Sequence, residues 1–87
     1  MYRSFEISVP ASGTDDLLAS LEALEQVVSI SVHRGSSVKP PGDVITVHTL
    51  NSRAGEVFRA VEAAGADGQV SIATADLAAW STASTPS

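Results

Sequence analysis

Apolar residues recur with two different periods along this chain, and the order of those periods is what most constrains its fold. Phe5, Ile7 and Val9 alternate with polar residues, as in a half-buried strand that ends at Pro10. The next segment has the period of a helix, and its leucines fall on one face. The same two periods continue along the chain, and the resulting order is strand, helix, strand, strand, helix, strand.

Caps and chain breakers predict the boundaries of these elements. Thr14 is expected to cap the first helix, and Asn51 or Ser52 the second, because their side chains can accept bonds from free helical N–H groups. Gly65 is expected to end the second helix. The other predicted elements are a strand over Val28–Val32, a loop over Arg34–Gly42 that contains Pro40 and Pro41, a strand over Asp43–Leu50, and a fourth strand after an Asp67-Gly68 turn.

This order of elements predicts one fold class. With right-handed crossovers it gives an α+β, ferredoxin-like βαββαβ sandwich, whose four-stranded antiparallel sheet has the order 4-1-3-2 and carries both helices on one face. Residues 1–80 are assigned to this domain and residues 81–87 to a flexible tail or linker. The expected core consists of Phe5, Ile7, Val9, Leu17, Leu21, Leu24, Ile30, Val32, Ile45, Val47, Val57, Phe58, Val61, Val70 and Ile72.

Composition limits the classes of function. The chain has 87 residues, enough for one domain. It has no cysteine, which excludes disulfides and thiolate chemistry and favours a reducing, cytoplasmic location. A formal net charge of −5 argues against nucleic acid as a partner. No apolar run reaches the roughly 18 residues that span a bilayer, and the first residues lack the apolar core of a signal peptide.

Catalytic and metal chemistry have little support in the pattern. His33 and His48 are the 2 histidines of the chain. In the predicted hairpin Ser29 faces His48, which separates the two rings by roughly 13 Å at about 3.3 Å per residue, too far to share one metal. We therefore expect no metal site, no cofactor and no enzymatic activity. A small enzyme that uses either histidine as a general base is the alternative from another class.

Four residues are candidates for ligand contact, and one is a candidate for an interface. Gly13 and Thr14 lie in the turn between the first strand and the first helix, the turn with which amino-acid-binding ACT domains contact their ligands. Arg34 and Lys39 place positive charge in one loop of an acidic chain, where it could meet an anion or an acidic partner. Trp80 follows the last strand and is expected to bury against its own sheet edge or against a second subunit.

Several segments together resemble a known family. They are Val9-Pro10, Leu17-Leu18, Val28–Val32, Pro41-Gly42-Asp43-Val44 and Asp67–Ala73. This pattern resembles the N-terminal soluble domain of the bacterial and archaeal membrane proteins of the domain of unknown function 389 family, over Arg3–Leu77. The resemblance implies a hydrophobic multi-helix region that residues 81–87 would link to the domain, which would then be the cytoplasmic part of an inner-membrane protein. It implies no catalytic residues.

These observations lead to two main hypotheses. The first is a non-catalytic regulatory or protein-interaction domain, with the membrane-embedded region of its own protein as the implied partner. The alternative is an ACT-like sensor that binds an unidentified small molecule near Gly13 at a subunit interface. Self-association into a homo-oligomer is a further hypothesis, through the open sheet face or through an edge strand, since Val27–Val32 has no Pro or Lys to block pairing.

Overall fold

The computed structural model describes residues 2–65 and 70–77. Each half of this part of the chain consists of a strand, a short 3₁₀ turn, a helix and a second strand. The elements are β1 (Tyr2–Val9), a 3₁₀ turn (Ala11–Gly13), α1 (Thr14–Glu22), β2 (Val27–Val38), β3 (Pro41–Leu50), a second 3₁₀ turn (Asn51–Arg53), α2 (Ala54–Ala64) and β4 (Ser71–Leu77).

The four strands form one antiparallel sheet in the order β2-β3-β1-β4, which confirms the predicted order 4-1-3-2. The two central strands are set in register by their apolar residues, because Phe5 pairs with Val47 and Ile7 pairs with Ile45. All four of these side chains point to the same face of the sheet and are fully buried there. The ferredoxin-like arrangement therefore follows from the alternation that the sequence displays.

The core lies between this face of the sheet and the two helices. Of the predicted core residues, Phe58 alone is exposed, at 36%, and its ring still packs edge-on against Phe5 with the ring centroids 5.1 Å apart. The predicted core is thus confirmed. The buried members are Phe5, Ile7, Val9, Leu17, Leu21, Ile45, Val47, Val57 and Val61, and the partly buried ones are Leu24, Ile30, Val32, Val70 and Ile72.

The predicted loop over Arg34–Gly42 is wrong, because most of it is strand. β2 continues to Val38, and β3 begins at Pro41, so that Lys39 and Pro40 form the turn; their peptide bond is cis. The prolines are tolerated because this part of the hairpin lies beyond the end of β1. Pro41 pairs with Val38 of β2 and has no partner in β1. Its missing N–H therefore removes no hydrogen bond between β3 and β1.

The alternation predicted for the second strand also fails at one residue. The pairing of β2 with β3 shifts register between Val27 and Ser29. As a result Val27 packs against the core, whereas Val28 is 44% exposed. A bulge adds one residue to a strand and reverses the faces on either side of it, and alternation alone does not reveal where it occurs.

Both predicted helix caps are wrong, although Gly65 does end α2 as predicted. Each helix continues from a 3₁₀ turn, and neither begins with a side-chain cap. The Thr14 hydroxyl is therefore available for other partners and donates to the Pro10 carbonyl and to Asp43. Asn51 accepts a hydrogen bond from Arg3 Nε at 2.8 Å, and this bond ties the start of the second 3₁₀ turn to β1.

Three predictions concern residues outside the described part of the chain. They are the Asp67-Gly68 turn, the burial of Trp80, and the tail over residues 81–87. Among the helices of residues 2–65 and 70–77, none has the length and apolar character needed to cross a membrane.

The two leucines Leu21 and Leu18 of α1 provide a matched test of the core. Leu21 is fully buried, and Leu18 is only partly buried against the same cluster. We expect Leu21→Ala to lower the free energy of unfolding by about 2–5 kcal/mol, since it leaves a cavity. Leu18→Ala removes the same atoms from a partly exposed site and is expected to lower it by about 1 kcal/mol. Urea denaturation measures both values, and equal losses would contradict the assigned core.

Candidate functional site

The structure brings two of the four candidate ligand residues, Thr14 and Arg34, together around a third residue, Asp43. Gly13 precedes Thr14 in the chain and is half-buried. Lys39 is exposed in the hairpin turn, and it makes no hydrogen bond or ion pair within the described residues. The site that the structure reveals is therefore centred on a carboxylate that the sequence did not single out.

Asp43 is an acidic side chain in an enclosed position, with 3% of its surface exposed. Thr14 Oγ1 donates a hydrogen bond to Asp43 Oδ2 at 2.6 Å, and the Gly35 N–H donates to Oδ1 at 2.8 Å. Arg34 Nη1 lies 3.5 Å from Oδ2. We call this group of four residues, Thr14, Arg34, Gly35 and Asp43, the Asp43 clasp.

Strand register explains why these groups meet. Asp43 pairs with Val9, the last residue of β1, so its side chain lies where β1 gives way to α1. Gly35 lies in the second irregular region of β2, between His33 and Ser37, and its φ of 69° turns its N–H toward the carboxylate. The clasp therefore joins the start of α1 to both strands of the β2–β3 hairpin.

The clasp holds the pKa of Asp43 below its usual value of 3.8. The hydrogen bond from Thr14 is the largest cause, followed by the bond from the Gly35 N–H, while burial opposes both and the nearby Arg34 charge adds to them. The carboxylate is therefore charged at neutral pH and is a weak base. Its partner hydroxyl, on Thr14, is fully buried. This geometry is suited to holding segments together.

Arg34 extends the clasp to the start of α1. Its Nη2 lies 3.2 Å from Asp15 Oδ1, while Nη1 faces Asp43. The pair with Asp15 is exposed to solvent, so it adds little stability. The guanidinium of Arg34 thus pairs with one buried carboxylate, on Asp43, and one exposed carboxylate, on Asp15. Because the two carboxylates differ in burial, Asp15 is a useful control for Asp43.

Gly42 adds a second contact at the base of the hairpin. Its φ is 154°, and a Cβ at this position would lie 2.1 Å from the Val9 carbonyl oxygen. Only glycine lets the backbone of β3 approach β1 so closely. Gly35 has open space around its Cβ position, so there the requirement is for the backbone angle alone. The hairpin base is fixed by both the clasp and this backbone contact.

Beyond this base the hairpin continues without the rest of the sheet. The pairing of β1 with β3 ends at Asp43, whereas Ser37 pairs with Gly42 and Val38 with Pro41. We call residues Ser36–Pro41 the hairpin tip. Its outermost apolar side chain, on Val38, is 87% exposed. Inside the tip, the Ser37 hydroxyl donates to the Pro40 carbonyl.

The two histidines lie on different rows of the hairpin. Ser29 pairs with His48, as predicted, and His33 pairs with Val44. Four residues of β2 therefore separate His33 from the row of His48, about 13 Å at 3.3 Å per residue. Within residues 2–65 and 70–77, no group of three or more histidine, aspartate or glutamate side chains is arranged to hold a metal ion.

Comparisons with known proteins support the fold. No protein-family model matches the chain, and no curated protein matches it either. The crystal structure of a DUF3240 family protein from Shewanella baltica is similar with a TM-score of 0.80, over 95% of this chain and 97% of that chain, at 10% sequence identity. At this identity the similarity concerns the fold alone. The family of this neighbour, a family of unknown function, differs from the one that the sequence motifs resemble.

In the sequence, Asp43 belongs to one of the segments that resemble a known family and begins a predicted strand, and neither feature predicts a role for its side chain. The usable signal was its position: an acidic residue directly after Pro41 and Gly42, at the start of a strand with alternating apolar residues. Thr14 is 29 residues away in sequence and meets Asp43 through the register of β1 and β3, whereas Arg34 and Gly35 meet it across the β2–β3 hairpin. The sequence predicts Arg34 as a ligand-contacting residue from its charge, and Thr14 both as a helix cap and as a ligand-contacting residue; the structure gives both the same partner, Asp43.

The lowered pKa of Asp43 predicts a pH-dependent contribution to stability. Because the pKa is lower in the folded state, the charged carboxylate stabilises the fold above its unfolded pKa, and this contribution is lost as the pH falls through the folded value. Asp43→Asn should therefore destabilise the protein at neutral pH. The difference in unfolding free energy between wild type and variant should narrow below about pH 4.

Urea denaturation at a series of pH values measures this difference. Asp15→Asn is the matched control, since it removes the other carboxylate that pairs with Arg34 from an exposed position. We expect it to change stability little at any pH. A difference between wild type and Asp43→Asn that stays constant down to about pH 2 would contradict the clasp, because the charged carboxylate would then contribute nothing.

Proposed function

We propose that this chain is a non-catalytic protein-interaction domain, of the regulatory kind, that contacts its partner through the hairpin tip. One observation carries the proposal: Val38 is 87% exposed at the end of a hairpin that extends beyond the sheet. A valine in a strand normally packs against neighbours. Here the projecting side chain is available to a pocket on another protein.

The base of the hairpin supports this role. A two-stranded hairpin alone is marginally stable in water. The Asp43 clasp and the close approach of Gly42 to Val9 attach this hairpin to the rest of the domain. An element that is already held in one position loses less conformational entropy on binding, which favours affinity.

Charge indicates the kind of partner. Residues 34–42 contain two of the five basic residues, Arg34 and Lys39, and none of the ten acidic residues. The rest of the chain is correspondingly acidic, with three basic residues. A partner surface that combines an acidic patch for Lys39 with an apolar pocket for Val38 would complement the tip. The electrostatic attraction between the acidic patch and the basic tip would also speed their association.

In this proposal the Asp43 clasp holds parts of the fold together and does not bind a ligand. The ACT-like alternative places a small molecule at the turn that contains Gly13 and Thr14. In this structure the Thr14 hydroxyl and the Gly35 N–H, which face that turn, already donate to Asp43. Gly13 has an ordinary backbone, and a Cβ there would lie 3.4 Å from Val9 Cγ2, so neither conformation nor space requires glycine at this position.

The motif resemblance adds one specific partner to the proposal, a membrane-embedded region in the same protein. The source gene beyond the codon for Ser87 tests this partner. A long hydrophobic region there would support it. A stop codon would remove this partner and leave a partner on another chain for the hairpin tip.

Site-specific photo-crosslinking tests the role of the tip. A benzophenone amino acid is placed at Val38, or at Ala19 on the exposed side of α1 as the control, and the cells that express the protein are irradiated. We expect adducts of defined mass from position 38 and not from position 19. Lys39→Glu should lower the yield at position 38 several-fold, because it reverses the charge at the tip.

Circular dichroism and urea denaturation of each variant confirm that the fold is retained. Equal adducts from positions 38 and 19 would show that the tip has no special role. A yield unchanged by Lys39→Glu would refute the acidic partner surface.

A further inference from the structure

The two edges of the sheet differ in their protection against pairing. β2 is irregular at two places, between Val27 and Ser29 and between His33 and Ser37. Such bulges twist an edge away from a flat partner. β4 pairs with β1 along its whole length without a register shift. Within residues 2–65 and 70–77, β4 is therefore the edge with a regular, unpaired side.

The composition of β4 also leaves this edge open. Its seven residues, Ser71–Leu77, include no proline and no lysine. These are among the devices with which edge strands prevent pairing. The one charge on the strand belongs to Asp76, and Arg3 Nη2 compensates it at 2.8 Å. Apart from this paired charge, the described strand carries neither of these devices against the addition of another strand.

We infer that two copies of this chain pair through β4, antiparallel about a two-fold axis at Thr74, and so form one continuous sheet. An antiparallel pair of identical strands around a two-fold axis is the simplest closed arrangement. Full overlap of the seven described residues Ser71–Leu77 with their copy places the axis at the middle one, Thr74. The inference is independent of the role proposed for the hairpin tip.

The side chains are complementary in this register. Thr74 faces its own copy across the axis, and Ala73 faces Ala75, so the contact is between small residues that allow close approach. Both alanines are exposed in the single chain. They lie on the open face of the sheet, because the intervening Thr74 shares the helix-side face with Ile72, the partner of buried Ile7.

Charge also permits the pairing of two acidic molecules at this edge. Each chain carries a net charge of −5, so most surfaces of two copies repel each other. In the proposed register Asp76 of one copy faces Ile72 of the other. The two Asp76 residues are then four rows apart, about 13 Å at 3.3 Å per residue. This exceeds the screening length of about 8 Å at physiological ionic strength.

Two double variants with the same first substitution test the register. In Ala73→Lys/Ala75→Glu, opposite charges face each other across the axis; in Ala73→Lys/Ala75→Lys, like charges do. Analytical ultracentrifugation over a wide concentration range should show a dimer for the wild type. The dissociation constant of the Lys/Lys variant should exceed that of the Lys/Glu variant by about tenfold or more.

Three outcomes of this experiment would overturn the inference. The first is a wild type that stays monomeric up to the highest concentration. The second is equal association of the two variants. The third is a ring larger than a dimer, as would arise if β4 of one copy paired with β2 of the next. Urea midpoints of both variants show whether any loss of association reflects unfolding instead.

A cysteine at the axis provides a second test, because the chain has no cysteine of its own. Thr74→Cys would place two thiols within the range of Cα separations that a disulfide accepts. We expect it to form a disulfide-linked dimer under mild oxidation. Ser31→Cys, exposed on β2, is the control and should remain largely unlinked. Faster linkage through Ser31→Cys would place the contact at the other edge and contradict the inference.

Discussion

A single enclosed carboxylate determines the arrangement of one end of this domain. Asp43 is charged and almost fully removed from water, which would be strongly unfavourable without donors around it. Thr14, Gly35 and Arg34 supply them, so the start of α1, the irregular part of β2 and the first residues of β3 must remain where they meet. The close approach of the Gly42 and Val9 backbones lies beside it, since Val9 is the strand partner of Asp43.

This arrangement connects the fold to the proposed function. The sheet and its two helices form a conventional core, whereas the hairpin tip contributes nothing to that core. The exposed Val38 and Lys39 lie next to the Asp43 clasp, whose bonds hold the residues at the base of the tip. The domain thus combines an acidic body with a projecting tip without acidic residues, and the proposed interaction role rests on this combination.

Most of the fold could be predicted from the sequence because the periods of the apolar residues are local. Phe5, Ile7, Ile45 and Val47 display the alternation that sets the register of β1 and β3. The errors occur where a local rule depends on tertiary position. Proline is disfavoured in a strand that has neighbours on both sides, but Pro41 lies beyond the end of β1 and pairs with β2 alone. The clasp could not be predicted, because Asp43 meets Thr14 and Gly35 only after the strands are paired.

Amide hydrogen exchange is the most direct test of the central claim that the clasp holds the hairpin. It is compared in wild type, Asp43→Asn and the control Asp15→Asn. We expect faster exchange for Ser36, Ser37 and Val38 in Asp43→Asn alone, while Ile7 and Ile45 in the central strands stay protected in all three. Equal protection of the hairpin amides in wild type and Asp43→Asn would contradict it.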